Sequence, residues 1–157
     1  MKQLLQKAQQ LRLKYYRILQ LADMPEDYAI QDYQTEWREA QTEVKQLFTY
    51  MSTHDLQPEI EVELLITIFL SLQIGYRNSE LFLRATDKAF QLLPHLSPSK
   101  LKVHLLVHLY QETEDETLLP DIDHLLSRYQ ADFTTEEDHA LLEYWQSVEE
   151  NPASVIF

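Results

Sequence analysis

The chain of 157 residues contains a single glycine, Gly75. Sheet proteins of this length use glycine for hairpin turns and bulges, where the backbone must reach positive φ. The scarcity therefore excludes an all-β sandwich or barrel. It also excludes a glycine-rich phosphate loop and a dinucleotide-binding turn, because both need several glycines close together. Hydrophobic residues make up 45% of the chain, enough to fill a real core. The expected fold class is all-α.

Hydrophobic periodicity divides the chain into about seven helices. Leu4, Leu5, Ala8, Leu11, Tyr15, Ile18 and Ala22 recur at spacings of three and four and predict a first helix over residues 2–22. Trp37, Ala40, Val44, Leu47, Phe48 and Met51 predict a second over 32–51. Pro58 is placed as the first residue of a third, over 58–76. That helix opens with Glu59, Glu61 and Glu63, which complement the helix dipole. From Leu64 to Ile74 it has almost no polar side, so it must be central. Gly75 is placed to cap it in a left-handed conformation or to permit a close helix approach. A fourth helix is expected over 80–93. Ser97-Pro98 reads as N-cap and first residue of a fifth, over 98–112, which is again apolar around most of its girth. Thr113-x-x-Glu116 and Thr134-x-x-Glu137 fit the capping-box spacing and open helices over 116–129 and 136–149. These elements read as one irregular bundle filling residues 1–157. Its parts are the N-terminal helices of 1–52, a core region of 58–150 and a short apolar tail of 151–157. A loose repeat of about 37 residues in the C-terminal half leaves a helical-hairpin-repeat-like arrangement open there.

The charge is strongly acidic and unevenly placed. Twenty-six acids oppose thirteen bases, for a net charge of −13. Residues 1–22 hold Lys2, Lys7, Arg12, Lys14 and Arg17 and no acid, whereas residues 111–157 hold thirteen acids and only Arg128. Such asymmetry points to interaction surfaces or to charge pairing between the two ends. An acidic body repels nucleic-acid backbones, so direct nucleic-acid binding is not expected. The basic first helix lacks the bulky apolar face of a membrane-surface helix. No stretch reaches the roughly 20 apolar residues that span a bilayer, and no signal-peptide h-region is present. The expected location is the cytoplasm.

The sequence offers little catalytic chemistry. The chain has no cysteine, which removes disulfides, thiolate metal sites and a cysteine nucleophile. His104 and His108, four apart on one helix, have a spacing that suits two ligands of one metal. Remaining ligands would have to come from His95, His124 or an acid. The competing reading is a polar stripe on a buried helix, and it is preferred because no third partner is fixed. Asp121-x-Asp123 lacks the glycine and the later glutamate of a calcium loop. No cofactor is expected, and no nucleophile–base–orienter set can be named, so the chain does not read as an enzyme. Tyr28, Tyr33 and Trp37 in the first quarter, with Glu136, Glu137 and Asp138 near the end, are candidate partner-binding residues. Aromatic anchors are favoured at protein interfaces, and acids attract a basic partner.

Several short segments carry a family pattern. They are Leu64-Leu65, Leu70, Gly75-Tyr76-Arg77-Asn78, Leu92-Leu93, the run from Pro98-Ser99-Lys100 to Leu106, and Glu149-Glu150-Asn151-Pro152. Together they resemble the UpxZ family of Bacteroides, over roughly residues 58–152. The resemblance implies a regulator of capsular polysaccharide loci that antagonises NusG-like transcription antiterminators by protein–protein binding. It implies no catalytic residues, so Gly75, Tyr76, Asn78 and Lys100 carry over only as pattern positions. The runner-up reading is a helical scaffold for another protein or peptide. A metal-dependent enzyme built on His104 and His108 ranks last.

Overall fold

The computed structural model describes the backbone of residues 2–22, 30–73 and 79–150. Within those residues it describes side chains 3–16, 38, 39, 41–72 and 80–147. Seven α helices and no strand are found among the described residues. They are α1 (Lys2–Ala22), α2 (Ile30–Thr53), α3 (Pro58–Gln73), α4 (Ser79–Leu92), α5 (Lys100–Thr113), α6 (Leu119–Tyr129) and α7 (Glu136–Glu150). Short 3-10 turns follow α4 and α6 and precede α6. The all-α expectation holds.

Two helices without a polar side organise the packing. Leu64, Leu65, Ile66, Ile68, Phe69 and Leu70 of α3 are each no more than 1% exposed. A helix buried all round needs neighbours all round, and α3 packs against α1, α2, α4 and α5. The second is α5, where every residue from Val103 to Tyr110 is buried. It packs against α3, α4, α6 and α7. The outer helices present ordinary amphipathic faces: Leu81, Ala85, Ala89 and Leu92 from α4, Ile122 and Leu125 from α6, Leu141 and Trp145 from α7. These residues join one contiguous apolar cluster.

The helix ends are set by side chains one or two positions away from the expected caps. Ser99, not Ser97, caps α5, its hydroxyl accepting the Lys102 N–H at 3.2 Å. Pro98 therefore precedes the cap. Thr135, not Thr134, caps α7: its hydroxyl accepts the Asp138 N–H at 3.1 Å, and the Asp138 carboxylate accepts the Thr135 N–H at 3.1 Å. That is a capping box shifted by one residue. Thr113 belongs to the end of α5 and donates to the Leu109 carbonyl at 2.8 Å. Asp115 caps the turn before α6 in its place, accepting the Thr117 N–H at 3.0 Å. Pro120 falls within the first two positions of α6, where its missing N–H has no helical partner to lose.

Gly75 lies outside the described residues. The left-handed helix cap that is described uses Glu114, at φ 54°, ψ 29°, whose N–H reaches the Tyr110 carbonyl at 2.7 Å. A residue with a Cβ pays a steric cost there of roughly 1–2 kcal/mol, and glycine does not. Replacement also frees the unfolded chain, which gives back part of that gain. Glu114→Gly is therefore expected to stabilise the protein by about 0.5–1 kcal/mol in urea unfolding.

Candidate functional site

The inner face of α1 carries Ala8, Leu11, Arg12 and Tyr15, all buried. Arg12 lies on this face because it is one helical turn from Ala8. Its side chain is 4% exposed. A guanidinium offers five donors in a planar fork, and four contacts meet it here. Nη2 donates to Glu63 Oε2 and Nε to Glu137 Oε1, both at 2.6 Å. Nη1 reaches the Glu63 carbonyl at 3.0 Å and the Thr67 hydroxyl at 3.2 Å. One side chain from the basic end thus ties α1 to α3 and to α7 at the acidic end.

A second polar cluster centres on Asp138, whose side chain is 3% exposed. One carboxylate oxygen accepts from His104 Nε2 at 2.8 Å. The other accepts from Lys100 Nζ at 2.9 Å and from the N–H groups of Thr134 and Thr135, each at 3.1 Å. Burial alone would raise the Asp138 pKa. The hydrogen bonds from His104, Lys100 and Thr135 outweigh it and hold the carboxyl well below the usual carboxylate range. Since a carboxylate only accepts, His104 carries its proton on Nε2. Its Nδ1 is buried without a hydrogen-bond partner, and its ring stacks on Phe133 with centroids 5.5 Å apart.

His108 lies one turn further along α5, with Nε2 3.4 Å from the Tyr16 hydroxyl. Burial, then the neighbouring His104 and Arg12, lowers its pKa from 6.5 to about 3. Burial and the Glu137 carboxylate raise the Tyr16 hydroxyl well above its ordinary 10.0. His108 is therefore neutral at pH 7 and Tyr16 protonated. These groups fasten helices to one another; Asp138, His104 and His108 are closed to solvent and Tyr16 is half-buried.

Above this sealed layer α1 and α7 leave an open cleft of about 580 Å³. Gln10, Leu13, Lys14 and Tyr16 line one side, and Glu136, His139, Ala140 and Glu143 line the other. Glu137 lies at its floor, already engaged by Arg12. Leu13 is 44% exposed, one of few large apolar side chains so open to water.

The sequence candidates fall into distinct places. Glu136 is exposed, Glu137 is half-buried on Arg12, and Asp138 is buried. Lys100 opens α5 and holds Asp138. Tyr28, Gly75, Tyr76 and Asn78 lie outside the described residues, as do the side chains of Tyr33 and Trp37. The His104 and His108 rings meet different partners, Asp138 and Tyr16, and His95 and His124 are exposed. No group of three potential metal ligands converges among the described residues. Nor is any helix among them long and apolar enough to cross a membrane. Sequence reading missed the roles of Glu63, Thr67 and Tyr16. It also gave Arg12 only its charge, although the spacing from Ala8 already marked it as inward-facing.

No family model matches this chain, and no curated protein does. Among solved structures, UpxZ of Bacteroides uniformis ATCC 8492, a transcription anti-terminator antagonist, is similar over 95% of this chain and 94% of that one. The TM-score is 0.73 and the sequence identity 22%. The two proteins share a fold. The resemblance read over roughly residues 58–152 thus has a counterpart in three dimensions across nearly the whole chain.

Two predictions test the buried layer. Arg12→Leu leaves the Glu63 and Glu137 carboxylates partly buried and unpaired, and is expected to cost about 3–5 kcal/mol in urea unfolding. Arg12→Lys should recover only part of it, because an ammonium cannot fork between two carboxylates. The depressed His108 pKa makes the unfolded chain bind a proton that the folded one refuses. Stability is then complete above pH 6.5 and falls as the pH drops towards 3, by up to about 1.4 kcal/mol per unit. Asp138 adds a loss of the same sign below its ordinary 3.8. Unfolding curves from pH 7 to pH 4.5 should show the His108→Leu slope shallower than wild type by close to one proton.

Proposed function

We propose that this chain is a non-enzymatic regulator that antagonises transcription antitermination, and that it acts in the cytoplasm by binding a protein. The observation that carries this reading is the fold shared with the anti-terminator antagonist over nearly the full length of both chains. The resemblance in sequence narrows the partner to a NusG-like antiterminator of a capsular polysaccharide locus.

The surface chemistry supports the same reading. Asp121, Asp123 and Asp132 are exposed on and after α6, and Glu136 and Glu143 are exposed on α7. Arg128 is the one base in residues 111–157. A skin of one sign speeds encounter with a partner of the other sign and disfavours like-charged competitors. His104, His108 and Asp138 are buried beneath it, out of reach of a substrate.

Transcription through a terminator in the presence of a purified capsule-locus NusG-like antiterminator tests the reading. Adding this protein should restore termination, and co-precipitation with the antiterminator should weaken steeply between about 50 and 500 mM salt. Unchanged read-through at saturating protein, with no co-precipitation at low salt, overturns it.

A further inference from the structure

The cleft between α1 and α7 has a pattern of its own. Glu136, Ala140 and Glu143 follow at spacings of four and three, so they form one stripe along α7. Seven residues of helix separate the two carboxylates by about 10 Å along the axis. The small Ala140 leaves a dip between them. Across the cleft, exposed Leu13 gives the dip an apolar wall. Glu137 is engaged by Arg12, and Lys14 is paired with Glu39 at 3.5 Å. Glu136 and Glu143, by contrast, make no hydrogen bond or ion pair among the described residues. Two available carboxylates flank a notch formed by Ala140 and Leu13 beside the exposed imidazole of His139, in a cleft of about 580 Å³, so the pattern along the Ala140 side is acid, apolar, acid.

We infer that this cleft receives a basic–apolar–basic segment of the partner protein: two lysine or arginine side chains about 10 Å apart, with an apolar side chain between them. The bases meet Glu136 and Glu143, and the apolar side chain sits on Ala140 against Leu13. The inference rests on the antagonist reading above and adds to it the surface and the kind of segment bound. Buried Arg12, clasped by Glu63 and Glu137 at the same junction of α1 and α7, shows how carboxylates here hold a guanidinium.

Isothermal titration of a purified NusG-like antiterminator tests it, with wild type, Glu136→Gln/Glu143→Gln, Leu13→Asp and a control, Glu80→Gln/Asp87→Asn on α4. The control removes the same two charges as the cleft pair. All four substituted acids and Leu13 are exposed, and melting curves confirm that each variant is folded. The cleft pair and Leu13→Asp should each weaken binding by about tenfold or more, and the cleft pair should also flatten the salt dependence. The control should stay within about twofold. Wild-type affinity in both cleft variants overturns the cleft assignment and leaves the antagonist reading standing. An equal loss in the control also overturns it, since attraction would then be spread over the whole skin. If wild type itself does not bind, the antagonist reading fails and the cleft assignment fails with it.

Discussion

The Arg12 guanidinium fixes the relation of three helices that are far apart in sequence. Its partners lie 51, 55 and 125 residues away. Apolar packing alone is tolerant of small slides and rotations, because dispersion contacts are numerous and non-directional. A planar fork held at 2.6 Å by two carboxylates is not tolerant. The pairing gives α1 and α7 a defined offset, and that offset shapes the cleft between them. The desolvation of such a group is costly, so its value lies in specifying one arrangement as much as in net stability.

The molecule separates its polar groups into two layers with different jobs. Below lie Arg12, Asp138, His104 and His108, closed to solvent, with Glu63, Glu137 and Tyr16 half-buried against them. Above lie Glu136, Glu143 and the acids of α6, exposed to water. Adjacent acids on one helix, Glu136, Glu137 and Asp138, are divided between the layers. Successive residues are rotated by about 100°, so one looks outward, one leans on Arg12 and one turns into the interior. The charge asymmetry along the chain resolves in the same way. Part of it is cancelled internally where α1 meets α7, and the remainder forms the skin.

Much of the fold was legible in the sequence because its strongest signals are apolar. The unbroken runs of α3 and α5 identified the two central helices, and glycine scarcity excluded sheets. Caps were less legible for a local reason: Ser97 and Ser99, and Thr134 and Thr135, are neighbouring hydroxyls of equal propensity, and only backbone geometry chooses between them. The left-handed Glu114 carries no sequence signal, since any residue is sterically worse there than glycine. Asp138 did carry one. It stands three and seven residues before Leu141 and Trp145, on the buried face of α7. The polar network itself was not legible, because its partners come from four helices and pairing at such separations is settled only by packing.

The burial of Leu64–Leu70 on every side of α3 bears on how the chain is made. Leu64–Leu70 leaves the ribosome before α4, α5 and α7 exist, so α3 first meets only α1 and α2. Its greasy remaining sides stay open until α5 is synthesised and closes over them. Apolar surface left open in that interval favours aggregation. Once the bundle is shut, the amides of Leu64–Leu70 are covered on every side and are expected to exchange their protons only when the whole molecule opens.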